Sequence, residues 1–122
     1  MDEKKNLVAV ASSDGIVVNQ HFGRAGTFFI YEVSETEIKQ QEVREVTPVC
    51  MGGNHEEERL KKNVEKISDC RYLLVSRIGN QAAHIAEGYG IQSFEIPGMI
   101  PESIDQMMKY KKIQELLKEK GN

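Results

Sequence analysis

The sequence predicts an α/β domain in which three strands precede two strand–helix repeats, in the order βββαβαβα. Three observations lead there. Residues 7–46 hold apolar and β-branched runs separated by polar turns, with no helical spacing of the apolar positions. Residues 54–117 change to segments with apolar side chains three and four apart, divided by glycines and short apolar runs. Within that second half, Tyr72-Leu73-Leu74-Val75 is apolar throughout, the pattern of a central strand covered on both faces. A meander followed by two crossover units gives a five-stranded mixed sheet with helices against it.

The elements follow in order. Leu7–Ala11 is a buried strand, closed by the turn Ser12-Ser13-Asp14-Gly15. Thr27–Val33, rich in aromatic and β-branched residues, is a second strand. Ser34-Glu35-Thr36-Glu37 is a polar turn, and Ile38–Val46 is a third strand polar enough to lie at an edge. Pro48 and Gly52-Gly53 interrupt the pattern. Asn54 reads as an N-cap, with Glu57 in the place of a capping-box partner, opening a helix whose apolar face is Leu60, Val64 and Ile67. After the central strand, Gly79-Asn80 starts a helix from Gln81 to Glu87 that Gly88 and Gly90 stop. Ile91–Ile96 is the last strand. Pro101, at a first helical position, opens a terminal helix with Ile104, Met107, Met108, Ile113, Leu116 and Leu117 as its apolar side.

Length and charge bound the function. At 122 residues the chain reads as one domain with a core from about residue 7 to 118. It carries 16 basic against 19 acidic residues, a net charge of −3, and the basic residues are dispersed outside the last helix. That balance speaks against a nucleic-acid surface. No apolar run approaches the roughly 20 residues that span a bilayer, and Met1-Asp2-Glu3-Lys4-Lys5 lacks the apolar stretch of a signal peptide. The expectation is a cytoplasmic protein without nucleic-acid or membrane partners. Cys50 and Cys70 form no C-x-x-C pair, so neither a zinc motif nor, in a reducing compartment, a disulfide is expected.

The run Val18-Asn19-Gln20-His21-Phe22-Gly23-Arg24-Ala25 concentrates the chemistry. It is a short polar break between two strands, and loops of that kind carry function. His21 offers the commonest neutral metal ligand and Arg24 a two-pronged anion contact. Gly23 permits a positive φ or a close ligand approach. Asn19 and Gln20 either donate hydrogen bonds to a bound anion or close the turn. Cys50 is the second candidate, because Gly52-Gly53 follow it and lead into a helix whose N-terminal N–H groups favour an anion or a thiolate. Against that, Glu56, Glu57 and Glu58 come next and repel an anion, unless they serve the helix dipole alone. Cys70 and the methionines read as core, and His84 as a surface or packed side chain.

The segments "VAVASSDG", "VNQHFGRAGTFFIYEV", "VTPVCMGG" and "DCRYLLVSRIG" are together similar to the dinitrogenase iron-molybdenum cofactor family, over about Leu7–Pro97. That family includes the NifX and NafY proteins and the C-terminal domain of NifB. The resemblance implies a ribonuclease H-like fold. It also implies carriage of an iron–sulfur or iron–molybdenum cluster between a donor and an acceptor of metallocofactor assembly, with His21 among the groups holding the cluster. Cys50 matches a Cys-x-Gly segment of the family, extended here by Gly52 and Gly53. Where the family often has a second cysteine a few residues on, this chain has Asn54 and His55, so His55 becomes the substitute ligand to examine.

Three functions compete. A non-enzymatic carrier needs few strong ligands, since its cargo must leave, and one histidine and one cysteine with arginine and N–H contacts meet that need. A metal-dependent nuclease needs several carboxylates converging on two cations, whereas the first strand carries none and Asp14 stands alone. Cysteine catalysis by Cys50 lacks any local signature. A cargo-free interaction module is the third reading, supported by the missing second cysteine and by Lys109, Lys111, Lys112, Lys118 and Lys120 on the terminal helix.

Overall fold

The computed structural model describes residues 5–49 and 55–120. Strand β1 (Asn6–Ala11) lies at the middle of a five-stranded sheet formed with β3 (Thr27–Val33), β4 (Ile38–Glu45), β5 (Tyr72–Val75) and β6 (Gln92–Glu95), in the order β4-β3-β1-β5-β6. The first three of these pair antiparallel, and β5 and β6 run parallel to β1. Helices α1 (Glu56–Glu65) and α2 (Asn80–Gly88) pack side by side, and α3 (Ile100–Lys120) ends the chain's regular structure. With two further strands of two residues each set aside, the element order is the expected one. Those two, β2 (Val17–Val18) and β7 (Gly98–Met99), pair with each other, and both are too short to leave a periodic signal.

Alternation along the strands divides the core into two layers. Ala9, Phe28, Ile30, Leu73 and Val75 point to one face, where Leu60 and Val64 of α1 and Ala82 and Ala86 of α2 cover them. Val8, Val10, Tyr31, Tyr72 and Leu74 point to the other, against Ile104 and Met107 of α3. Cys70 belongs to the first layer, 3% exposed, and burial there pushes its thiol up to about 12. It is a packing residue, enclosed among the core side chains.

Three elements differ from expectation. Helix α1 begins at Glu56 after His55 in a left-handed conformation (φ 67°), with no side-chain cap, so no capping box forms among the described residues; Asn54 lies outside them. Pro101 is the second residue of α3, not the first. The largest correction concerns the distal half of α3, where Ile113, Leu116 and Leu117 are 49–64% exposed and cover no core. A helix of 21 residues spans about 31 Å at 1.5 Å per residue, whereas the sheet's strands of four to eight residues span about 13–26 Å. The helix therefore overshoots the sheet, and its later apolar residues meet solvent.

Two local devices fix the ends of this frame. Gly15 adopts φ +77°, and a Cβ there would come within 2.8 Å of the Phe29 ring. Gly15→Ala is expected to destabilise by about 1–3 kcal/mol from the left-handed backbone and the overlap together, measured by chemical denaturation. On the opposite side, the Arg44 guanidinium grips Asp69 through Nη1 (2.6 Å) and Nη2 (2.8 Å) and also reaches the Lys66 carbonyl (2.8 Å), tying β4 to the turn before β5. The hydrogen bond from Arg44 holds the Asp69 carboxyl below its ordinary value of 3.8. A depressed folded value means that this stabilisation is fully present above pH 3.8 and is lost as pH falls below it through the folded value. Asp69→Asn should thus cost about 1 kcal/mol or less at neutral pH, because the pair is solvated, and should flatten the acid limb of a melting-temperature profile.

Candidate functional site

The site is assembled by an excursion of the chain. After β1, residues 12–19 leave the sheet and return, and the Gln20 N–H comes back to the carbonyl of Ala11 (3.4 Å). Residues 20–22 then continue the line of β1 beside β5. The Ser76 N–H donates to the Gln20 carbonyl (3.0 Å), the Phe22 N–H donates to the Arg77 carbonyl (2.9 Å), and His21 and Arg77 form a parallel bridge. His21 therefore stands just beyond the carboxyl ends of β1 and β5, two parallel neighbours whose connections leave in opposite directions. Crevices at such reversals are where open α/β sheets bind ligands.

The excursion closes on its own side chains. Asn19 accepts from the Ser13 N–H through Oδ1 (3.0 Å) and donates to Ser13 Oγ through Nδ2 (2.9 Å). Of the two roles open to Asn19, this is the turn-closing one, and Asn19 does not line the cleft described below. Asp14 accepts from the N–H groups of Ile16 (2.8 Å) and Val17 (3.2 Å), which hold its carboxyl below the usual range. Its carboxylate is thereby occupied with the loop.

Phe22–Arg24 form a 3-10 turn that aims the two polar side chains outward. Phe22 is 1% exposed and packs its ring 5.6 Å from that of Phe28, so it fastens the turn to the core. His21 and Arg24 on either side are exposed. The Gly23 carbonyl accepts from the Val49 N–H (2.7 Å), which anchors the chain just before Cys50 to the same turn. Cys50, Gly52 and Gly53 themselves lie outside the described residues.

His21, Gly23 and Arg24 line a cleft of about 670 Å³. Opposite them stand Arg77 and the start of α2 from Gly79 to Ala82; Glu56 and Leu60 of α1 and Glu95 of β6 complete the wall. The α2 N-terminus has no side-chain cap and no acidic residue in its first turn, so its partial positive charge faces the cleft, where the carboxylates of Glu56 and Glu95 stand nearby. Arg24 and Arg77 make no ion pair among the described residues. The Glu95 carboxylate accepts the Ile78 N–H (2.8 Å) and so holds the Arg77–Gly79 turn in place. Of the three successive glutamates opening α1, only Glu56 reaches the cleft.

His55 is not brought to this wall. It flanks α1, with Nδ1 3.5 Å from Glu58. Among the described residues there is no group of three or more histidine, cysteine or acidic side chains able to hold a metal ion. The cleft thus offers one imidazole, two guanidiniums, two carboxylates (Glu56 and Glu95) and a helix N-terminus. The guanidiniums and the helix N-terminus suit an anion, and the carboxylates temper that attraction. Arg77 and Glu95 were not singled out by sequence reasoning. The signal for Arg77 was its place in Ser76–Gly79, directly after a strand recognisable as central.

The chain is similar to several known proteins. The chain is 36% identical over 104 residues to the FeMo cofactor biosynthesis protein NifB of Frankia alni, covering 83% of this chain and 20% of that protein. It is 31% identical over 118 residues to NifB of Chlorobaculum tepidum, covering 96% and 27%. The chain therefore spans about a fifth to a quarter of the length of these relatives. A candidate NifB protein from Thermotoga, solved by NMR, superposes with a TM-score of 0.59 at 26% identity, covering 85% of this chain and 88% of that one. The crystal structure of PH0822 superposes with a TM-score of 0.63 at 22% identity, which shows a shared fold. Residues 4–110 match the family profile described as dinitrogenase iron-molybdenum cofactor, and the chain belongs to that family.

Proposed function

We propose that the chain is a non-enzymatic cluster-binding domain that takes up an iron–sulfur or iron–molybdenum cluster, or a precursor of one, and passes it to an acceptor protein. The observation that carries the reading is the His21–Arg77 bridge, which gathers one imidazole, two guanidiniums and an uncapped helix N-terminus around one open cleft. His21 supplies a bond to one metal, and Arg24, Arg77 and the α2 N–H groups offset the negative charge of the rest. A carrier needs few strong ligands, since its cargo must leave again. Cys50 is the reading's second ligand, on the strength of the family resemblance. Membership of the cofactor family and the naming of relatives as FeMo cofactor biosynthesis proteins support the class of cargo.

The test is an anaerobic titration of the protein with a reconstituted iron–sulfur cluster and, separately, with an isolated nitrogenase cofactor precursor, followed by visible absorbance and thermal stability. Saturable binding with stabilisation is expected, about 2.7 kcal/mol at a hundredfold excess over Kd. Absence of binding by folded protein would remove the carrier role and favour the cargo-free interaction module.

A further inference from the structure

The outer edge of the sheet carries a self-complementary sequence. β4 is the edge strand beside β3, and seven of its eight residues are exposed, so both of its faces lack cover. Ile38 is 42% and Val43 49% exposed. In a straight strand these two positions would face opposite ways, being an odd number apart. Here the register shifts by one residue at Gln41: Tyr31 pairs with Gln40 and Ile30 with Glu42. Ile38 consequently lies opposite Val33 and Val43 opposite Phe29, both on the α3 side of the sheet. Lys39 lies opposite Glu32 and Glu42 opposite Ile30, on the other side. The bulge brings Ile38 and Val43 to one face and Lys39 and Glu42 to the other.

We propose that β4 pairs antiparallel with β4 of a second copy about a two-fold axis, with Ile38 of each copy opposite Val43 of the other and Lys39 opposite Glu42. A two-fold pairing repeats each contact, giving two apolar pairs on one face and two opposite-charge pairs on the other. Neighbouring registers lack this match. A slide of one residue in one direction places Ile38 opposite Arg44 and Lys39 opposite Val43, and a slide of two in that direction places Lys39 opposite Arg44. An exposed lysine on an edge strand normally guards that edge against foreign pairing. In this register its charge meets a carboxylate, so the guard becomes a selector for the chain's own copy. The cleft lies at β1 and β5, with β3 intervening before β4, so both clefts stay open in the pair.

Sedimentation velocity of the full chain, from micromolar to millimolar concentration, tests this. The wild type should associate to a dimer. Lys39→Glu and Glu42→Lys should each weaken association about tenfold or more by setting like charges opposite each other, with far-UV circular dichroism confirming the fold. An equimolar mixture of the two variants should regain dimer, because each copy then meets opposite charges on the other. A wild type that stays monomeric at millimolar concentration overturns the proposal. So does a dimer indifferent to both substitutions, or a mixture no more associated than its parts. A dimer lost instead in Ile113→Ser with Leu117→Ser would overturn it as well and assign the contact to α3.

Discussion

Replacing His21 with alanine is expected to weaken binding of an iron–sulfur or iron–molybdenum cluster about a hundredfold or more while leaving the domain folded. The two halves of that result have separate physical origins. The fold half rests on the backbone: the Phe22 N–H to Arg77 carbonyl bond and the Arg24 N–H to His21 carbonyl bond (3.1 Å) do not involve the imidazole. The side chain is exposed and makes no capping hydrogen bond to the 3-10 turn, so its removal should change stability by about 0.5 kcal/mol or less. The binding half rests on the proposed bond from the imidazole to a metal, His21 being the one described imidazole in the cleft. Arg24 and Arg77 attract an anion but form no bond to a metal, and they will retain weak, salt-sensitive association. Titration by visible absorbance at two ionic strengths, with a thermal melt of each protein, checks both halves.

Phe22→Ala should have the opposite profile, a loss of about 3–5 kcal/mol of stability from a residue that does not line the cleft. The ring is almost fully enclosed by the layer under α1 and α2 and packs against Phe28. Alanine leaves a cavity at a place where the 3-10 turn, the Gly23–Val49 tie and the chain leading to α1 converge. Against the 5–15 kcal/mol typical of a domain this is a large share, and denaturant unfolding will show it directly. Phe22→Leu, which restores most of the volume, should recover the greater part. The contrast matters for function, because neighbouring residues in one motif then separate into a cargo contact and a structural anchor.

Sequence periodicity carried the long elements because each buries a face. Leu60 and Val64 are four apart and both enter the core, and Tyr72–Val75 is buried at every position, as a run without polar residues requires. It failed where the tertiary frame ends before the pattern does. Ile113, Leu116 and Leu117 continue an apolar spacing past the edge of the sheet, so the same signal that identified core in Ile104 and Met107 led to exposed positions. Short-range chemistry had a similar limit. Asn19 sits in the motif, but its amide is used to close the loop on Ser13, and no feature of the residue alone separates that role from ligand binding.

In the candidate site, His21, Gly23 and Arg24 were legible because they lie within four residues of each other in a polar break between strands. Arg77 and Glu95 were not, since they reach the cleft only through two parallel pairings, β1 with β5 and β5 with β6. Parallel neighbours are joined by long crossovers, and no local rule predicts which residues such a pairing aligns. The excursion at residues 12–19 hides the alignment further, because it separates His21 from the strand whose line it continues.

The proposed contact between His21 and a metal of the bound cluster is open to pulsed electron paramagnetic resonance on the cluster-loaded protein, with histidine labelled with nitrogen-15 and the cluster in a paramagnetic state. Coupling to one imidazole nitrogen is expected in the wild type, absent from His21→Ala and retained in His55→Ala and His84→Ala. A loaded wild type without imidazole coupling, or with coupling that survives removal of His21, would contradict it.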